Sequence, residues 1–323
     1  MNPPYINDEF NLKGTTLRVG TDCSGLDSPI VALEMLNVNV EHIWSCDSDC
    51  DVKKQILSKF KPQHYYDDMA SRDVSKLPPI DMYIAGIPCQ SWSGLNTKRK
   101  GFNVKEGTLF FEALKVIKSL RPKFFILENV TGMLTHNKGQ SYKLIQSHLE
   151  SLNNYNIHYK VLNTVDYGTP QNRNRIYIIG IRDCNKLLNI LKVPTLPIKN
   201  FLNTRLPPQR DKCLIPRRQK CLEFAKEHYD INEADDWIVT IGASFTFTRA
   251  RLNVCPCITA FASYYYITSQ ERFITIDELL ILQGFPESYK LVTKNKSKCY
   301  RQVGNAMSVN VLYHLFYALL ENY

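Results

Sequence analysis

Leu17-Arg18-Val19-Gly20-Thr21 alternates and runs into Asp22-Cys23-Ser24-Gly25-Leu26-Asp27-Ser28-Pro29. The first five residues read as a strand and the next group as a turn. Ser28 suits the cap of a helix, with Pro29 at its first position, and the helix reaches about Leu36. A second strand, Glu41 to Cys46, closes on Asp47. Strand, loop, helix, strand and a terminal acid suit a nucleoside ligand: the carboxylate can accept from two ribose hydroxyls, and a loop glycine admits close backbone approach. There is no GxGxxG here, and one glycine before a helix also makes a plain turn.

The same alternation continues outward. A helix follows from about Asp51 to Phe60, then a strand from Asp81 to Ala85 that runs into Gly86-Ile87-Pro88-Cys89-Gln90. Leu109, Phe110, Ala113, Leu114, Ile117 and Leu120 recur at helical spacing over Thr108 to Leu120. Lys123 to Leu127 is a strand ending at Glu128-Asn129-Val130. Gln140 to Leu152 is a helix, and Tyr159 to Val165 and Arg175 to Ile181 are strands. Strands alternating with helices predict an α/β fold with a parallel-type sheet. After Arg182 the pattern breaks at Pro194, Pro197, Pro207, Pro208 and Pro216, and Ile181 to Gln270 holds 13 Lys and Arg against 8 Asp and Glu. That stretch reads as a second, smaller domain with a basic surface. Regularity returns at Phe273, and the chain ends in an apolar helix from Ser308 to about Glu321.

Composition bounds the function. The 323 residues are 44% apolar and 22% charged, enough for a sizeable core and unlike a disordered chain. The net charge of +9 fits a polyanionic partner or a solvated basic surface. No apolar run approaches the ~20 residues of a membrane span, and Met1 to Phe10 lacks a signal-peptide apolar stretch. The ten cysteines form no paired CxxC array and have no His at zinc spacing. They predict buried thiols in a reducing, intracellular setting, cytoplasm or nucleus, without a metal site.

Three groups can carry chemistry. Cys89 follows Pro88 at a strand end, ahead of Lys98-Arg99-Lys100; a thiol in an electropositive loop can be a reactive thiolate, or it can be a small core hydrophobe. Glu128 closes the apolar run Phe124-Phe125-Ile126-Leu127, where half-desolvation favours proton donation; a salt-bridged surface acid is the alternative. Arg173 and Arg175 share one face if extended, and can hold phosphate, orient the acid or line a solvated edge.

Taken in order, these segments resemble the cytosine-5 DNA methyltransferase family along nearly the whole chain. Pro88-Cys89-Gln90 with Ser93 looks like its catalytic loop, Glu128-Asn129-Val130 like its acid motif, and Gln171-Asn172-Arg173-Asn174-Arg175 like its arginine motif. Arg272-Phe273-Ile274-Thr275, Glu278 and Leu282-Gln283-Gly284-Phe285-Pro286 resemble the segment after the target-recognition region. Gln302-Val303-Gly304-Asn305-Ala306 with Ser308 resembles the last motif.

The resemblance implies a Rossmann-like S-adenosylmethionine-dependent methyltransferase domain, a mostly parallel sheet with helices on both faces, plus a smaller target-recognition domain. On that reading 1–183 is the catalytic, cofactor-binding domain, 184–270 the target-recognition domain, 271–295 a hinge segment and 296–323 a return to the catalytic domain. Cys89 would attack C6 of a cytosine flipped out of the helix. Glu128 would contact N3 and the exocyclic amine, and Arg175, with Arg173 beside it, would position Glu128 and the base. Asp47 would hold the ribose hydroxyls of S-adenosylmethionine and Asp73 its adenine amine, with Asp22, Cys23, Ser24, Gly25 and Pro88 around the cofactor and Asn305 and Ser308 near its methionine end. The first loop departs from the family. Its usual Phe-x-Gly-x-Gly-Gly stands here as Cys23-Ser24-Gly25-Leu26-Asp27-Ser28, and Ser48 replaces an aromatic that often stacks on the adenine.

Gln90, Ser93, Lys98, Arg99, Arg249, Arg251 and Gln283 are the expected nucleic-acid contacts. Arg can read guanine bidentately or hold a phosphate. Tyr264-Tyr265-Tyr266 reads as a packed strand. An RNA methyltransferase of the same family would differ mainly near Cys89 and in the target domain. A catalytically silent, nucleic-acid-binding relative is opposed by the intact Pro88-Cys89-Gln90 and Glu128-Asn129-Val130, and a small-molecule substrate by the basic second domain.

Overall fold

Strands that read as near-continuous apolar runs need cover on both faces. The computed structural model, which describes residues 10–88, 105–185, 187–241, 248–260 and 264–321, follows that rule. In chain order it contains β1 (Thr16–Asp22), α1 (Ser28–Met35), β2 (Asn39–Cys46), α2 (Cys50–Lys59), β3 (His64–Tyr66), β4 (Met82–Gly86) and α3 (Lys105–Leu120). There follow β5 (Phe124–Val130), a short α4 (Gly132–Thr135), α5 (Gln140–Glu150), β6 (Tyr155–Asn163), β7 (Gln171–Asn172) and β8 (Asn174–Arg182). A seven-stranded sheet is ordered β3-β2-β1-β4-β5-β8-β6. The strands from β3 to β5 pair in parallel, whereas β8 is antiparallel to β5. Strand order reverses between β1 and β4, and the crevice outside such a switch point is where open α/β sheets hold ligands.

Local chemistry shifts two boundaries. Asp27, not Ser28, caps α1; it takes a left-handed φ of 54°, and Ser28-Pro29 open the first turn. β5 extends through Val130, so Glu128 lies inside the strand, level with Gly86 on β4 and Tyr177 on β8. Trp44, Tyr83, Phe125, Ile117, Ile145 and Ile178 share one buried cluster around these strands.

The chain forms two compact units. Asp8–Leu162, Asn174–Leu191 and Leu312–Tyr323 make the sheet unit, and Asn163–Arg173 with Lys192–Val311 belong to the second. The second unit carries α6 (Arg210–Cys213), α7 (Pro216–Tyr229), β9 (Trp237–Ile241), β10 (Ala250–Leu252), β11 (Cys255–Pro256), β12 (Tyr264–Ile267), β13 (Arg272–Phe273), α8 (Ile276–Leu282) and α9 (Lys296–Asn305). The last helix, α10 (Val309–Leu320), begins there and ends in the sheet unit. A four-stranded antiparallel sheet is ordered β10-β9-β12-β13, and β11 pairs with β7. Cys221, Leu222 and Ala225 of α7 pack with Val239, Ile241 and Tyr266. Tyr265 and Tyr266 are buried, and Arg218 lies 4.0 Å over the Tyr264 ring. Gly304 abuts the Thr259–Ala260 backbone so closely that a Cβ would sit 2.1 Å from a carbonyl carbon.

Lys296–Leu320 is long and apolar enough by composition to cross a membrane, more so than the short apolar runs of the sequence suggest, yet 89% of its most apolar window is buried in the protein. The nine cysteines among the described residues are free thiols, five of them buried.

One buried ion pair organises the entry to α8. Arg272, 1% exposed, donates from Nη2 to Glu278 Oε1 at 2.6 Å and from Nη1 to Oε2 at 2.9 Å. Glu278 also accepts from the backbone N–H of Thr275 and of Asn203, both at 2.7 Å, completing a capping box with Thr275. Burial pushes the Glu278 carboxyl up, but Arg272 and the two backbone donors outweigh it and hold it below the usual carboxylate range. The stabilisation is therefore full above the unfolded value of about 4.3 and is lost as pH falls through the lowered folded value. Arg272→Ala, which leaves a buried charge unpaired, should lower unfolding free energy at pH 7 by about 3–5 kcal/mol in urea titrations, with the deficit shrinking below about pH 4. A loss under about 1 kcal/mol would assign the pair the value of a surface contact.

Candidate active site

The carboxyl end of β1 borders the switch point, and that of β2 lies beside it. Asp22, expected to touch a cofactor, is instead walled in at 0% exposure. Arg72 Nη1 donates to its Oδ1 at 2.6 Å and Arg72 Nη2 to its Oδ2; Tyr83 Oη reaches Oδ2 at 2.6 Å and Trp44 Nε1 reaches Oδ1 at 3.1 Å. Both oxygens are spent on the protein, so Asp22 is an anchor. The Arg72 guanidinium lies 5.5 Å over Trp44 and 5.3 Å over Tyr66. It thereby ties down the turn that carries Asp73. The Asp73 carboxylate is exposed and accepts from Ser75 N and Oγ, which hold it below its ordinary value.

The loop after β1 is drawn onto β2. Ser24 N–H donates to Cys46 O at 3.1 Å, and Gly25 N–H donates to Asp47 Oδ2 at 3.0 Å. Asp49 N–H donates to the other Asp47 oxygen at 3.0 Å. Burial pushes the Asp47 carboxyl up, against the pull of those two N–H groups. Each oxygen keeps a lone pair, as a carboxylate that binds hydroxyls requires. Gly25 has φ +55°, and no atom lies within 4 Å of where a Cβ would stand. An open glycine beside a half-buried carboxylate at a switch point fits a nucleoside cofactor. Ser24 is buried, with its hydroxyl turned to Thr21 and Cys46. Cys23 is half-buried, its Sγ 3.7 Å from Met69 Sδ, and burial pushes its thiol up, which disfavours the thiolate.

Glu128 is 8% exposed in β5. Arg175, from β8, sets Nε 3.2 Å from Glu128 Oε1, an ion pair in which that oxygen accepts no hydrogen bond among the described residues. Pro88, the last described residue after β4, is half-buried. Cys89, Gln90, Ser93, Lys98 and Arg99 lie outside the described residues.

Arg173 does not join Arg175. The extended backbone is interrupted between β7 and β8, and the Arg173 side chain is buried in the second unit. Its Nη1 donates to Ile258 O at 2.7 Å and Gly304 O at 3.2 Å, and Nη2 donates to Ala306 O at 2.9 Å. Gln283, expected to contact nucleic acid, is 0% exposed and turned inward here. Its Nε2 donates to Val303 O at 2.7 Å, and its Oε1 accepts from Gln171 Nε2 at 2.8 Å. Ser308, expected near the methionine end of the cofactor, is buried in the same polar knot, 2.7 Å from Thr164 Oγ1. Asn305, at the end of α9, is exposed. Arg249 and Arg251 are exposed at β10, an edge strand of the small sheet. With the Asn172 amide oxygen turned toward it, Arg251 donates from Nη2 at 2.7 Å and Nε at 3.2 Å.

Sequence reading missed Arg72, Tyr83 and Trp44 as partners of Asp22, and Asp27 with Ser45 and His42 behind the loop. Arg72 stands 50 residues from Asp22, and no periodicity links positions so far apart. The one local hint is that Arg72 directly precedes Asp73.

The C-5 cytosine-specific DNA methylase family matches residues 23–321. The Type II methyltransferase M.Bsp6I of Bacillus sp. (strain RFL6) is 33% identical over 285 residues, covering 84% of this chain and 89% of that protein. M.HhaI of Haemophilus parahaemolyticus is 26% identical over 291 residues, covering 84% and 88%. The crystal structure of the S. pombe Dnmt2 methyltransferase matches with a TM-score of 0.65 over 96% of this chain and 100% of that one; at 18% identity this is a likeness of fold. A match that begins in the first loop and runs to the end of the last helix means that the chain belongs to the C-5 cytosine-specific DNA methylase family and is a cytosine-5 methyltransferase.

Proposed function

We propose that the protein transfers a methyl group from S-adenosylmethionine to C5 of cytosine in DNA, through a bond between Cys89 and C6 of the base. The observation that supports this best is the Glu128–Arg175 pair: a nearly buried carboxyl, held by a guanidinium, level with Gly86, three residues before Cys89.

C6 of cytosine is a poor electrophile, so addition there needs a soft thiolate and an acid on the ring. The Cys89 thiolate forms the C6–S bond while Glu128 hydrogen-bonds N3 and the exocyclic amine, so that the electron pair displaced from the 5,6 double bond is stabilised and C5 becomes nucleophilic. Arg175 fixes the direction of the carboxyl. Bound S-adenosylmethionine would supply an electrophilic methyl group to that carbon, its methyl–sulfur bond breaking to leave S-adenosylhomocysteine. Loss of the C5 proton to a water molecule acting as base then restores the double bond and expels the Cys89 thiolate. Asp47 would hold the ribose hydroxyls, Gly25 would let the backbone come close, and Asp73 would face the adenine amine. Arg249 and Arg251 would meet the nucleic acid from the 184–270 region.

A 5-fluorocytosine target blocks the proton-removal step, because fluorine cannot leave as a cation. With S-adenosylmethionine present, the protein should form a denaturant-resistant adduct with a DNA oligonucleotide carrying that base, and Cys89→Ser should abolish it. An adduct that persists in Cys89→Ser would move the nucleophile elsewhere, and one formed on RNA alone would replace DNA as substrate. Glu128→Gln should cut turnover by roughly 10²–10⁴ while DNA binding is largely kept; equal loss of both would make Glu128 structural. If Arg249 and Arg251 hold phosphates, replacing both by Ala should reduce the slope of log K against log salt by about 2 in binding titrations. An unchanged slope would leave them solvated surface charges.

A further inference from the structure

Asp27 is a charged residue with no solvent contact, next to the loop that stands where the family's glycine-rich turn is expected. Its left-handed φ of 54° is one that glycine adopts freely and most other residues avoid. Its own N–H donates to Ser24 O at 2.8 Å, closing the turn. Thr21 Oγ1 donates to Oδ1 at 2.8 Å, and Ser45 Oγ donates to Oδ2 at 2.6 Å.

A carboxylate only accepts, which sets the direction of every bond behind it. Thr21 has one hydroxyl proton and gives it to Asp27, so the 2.7 Å contact between Thr21 Oγ1 and Ser24 Oγ is donated by Ser24. Ser24 Oγ in turn accepts from Cys46 N–H at 3.1 Å. On the other side, Ser45 has given its proton to Asp27, so at the 2.8 Å contact with His42 Nε2 the imidazole is the donor. One polarised chain thus runs from His42 on β2, through Asp27 and β1, to Ser24 and the β2 backbone beside Asp47.

We infer that Asp27 is the positioning residue of the methyl-donor loop: through Thr21 it fixes Ser24 and Gly25 against Cys46 and Asp47, doing with side-chain hydrogen bonds what glycines do in the family's usual turn. This rests on the reading that Gly25 and Asp47 hold S-adenosylmethionine. Asp27 touches no reacting atom, so its effect falls on donor affinity and not on the methyl-transfer step.

The test is isothermal titration of S-adenosylmethionine into wild type, Asp47→Ala, Asp27→Asn and Thr21→Val, with kcat at saturating donor and thermal melts on the same samples. Asp27→Asn keeps the shape but places an N–H donor where an acceptor is needed. Thr21→Val keeps the volume and every charge while cutting the link to Ser24, and carries the test should Asp27→Asn fail to fold. Each should raise the donor Kd about tenfold, the scale of one charge-assisted hydrogen bond, with kcat at saturating donor within about twofold of wild type. A merely structural role would lower the melting temperature and the active fraction and leave Kd unmoved. Normal donor binding by Asp47→Ala would overturn the donor-site reading itself. Lost binding in Asp47→Ala with wild-type binding in folded Asp27→Asn or Thr21→Val would overturn the inference about Asp27 alone.

Discussion

The Asp22 carboxylate sits wholly out of water at the end of β1, and a charge so placed needs both a counter-charge and filled lone pairs. Its partners come from three places in the chain: Trp44 on β2, Tyr83 on β4, and Arg72 from the turn after β3. Those are the strands on either side of β1 and the turn beyond β3, so satisfying one buried charge also sets the spacing of the strands around the switch point. Arg72 could not leave without stranding Asp22, and the turn bearing Asp73 is held with it. Acid residues near the crevice thus divide by what has claimed them. Asp22 belongs to the scaffold, while the Asp47 carboxylate is held, among the described residues, by backbone N–H groups and keeps capacity for a ligand.

How legible this was depends on the range of the interactions concerned. β1, β4, β5 and α3 were readable because apolar period and strand–helix alternation are local signals, and the acids that end β1 and lie late in β5 follow once those strands are found. The position of Glu128 was readable for the same reason, although its strand runs three residues further than the apolar run suggests. The antiparallel direction of β8 was not, since the apolar pattern of Ile176 to Ile179 is the same whichever way a buried strand runs. Asp27 as cap was hidden by Ser28-Pro29, which looks like an ordinary helix start but comes one residue after the true one.

Arg173 and Arg175 show where a motif stops being informative. They are two residues apart, yet one ties backbone carbonyls together in the second unit and the other faces Glu128 in the sheet unit. Spacing places side chains on a common face only while the backbone stays extended, and the chain changes partners between β7 and β8. Gln283 and Ser308 illustrate the converse. A polar residue in a functional motif need not touch a ligand, because buried amides and hydroxyls that satisfy one another can define how α8, α9 and β7 meet.

The route of the chain has a consequence for how the protein comes to be folded. The sheet unit is left at Leu191 and re-entered at Leu312, so a 120-residue excursion separates its strands from its final helical segment. For a flexible chain the entropy of closing such a loop grows only logarithmically, by about 0.6 kcal/mol per doubling of length, so the detour costs the finished structure little. It weighs on timing instead. During synthesis the strands of the sheet are made before the last helical segment, so for the whole length of the excursion they must stay folded or avoid wrong partners without it.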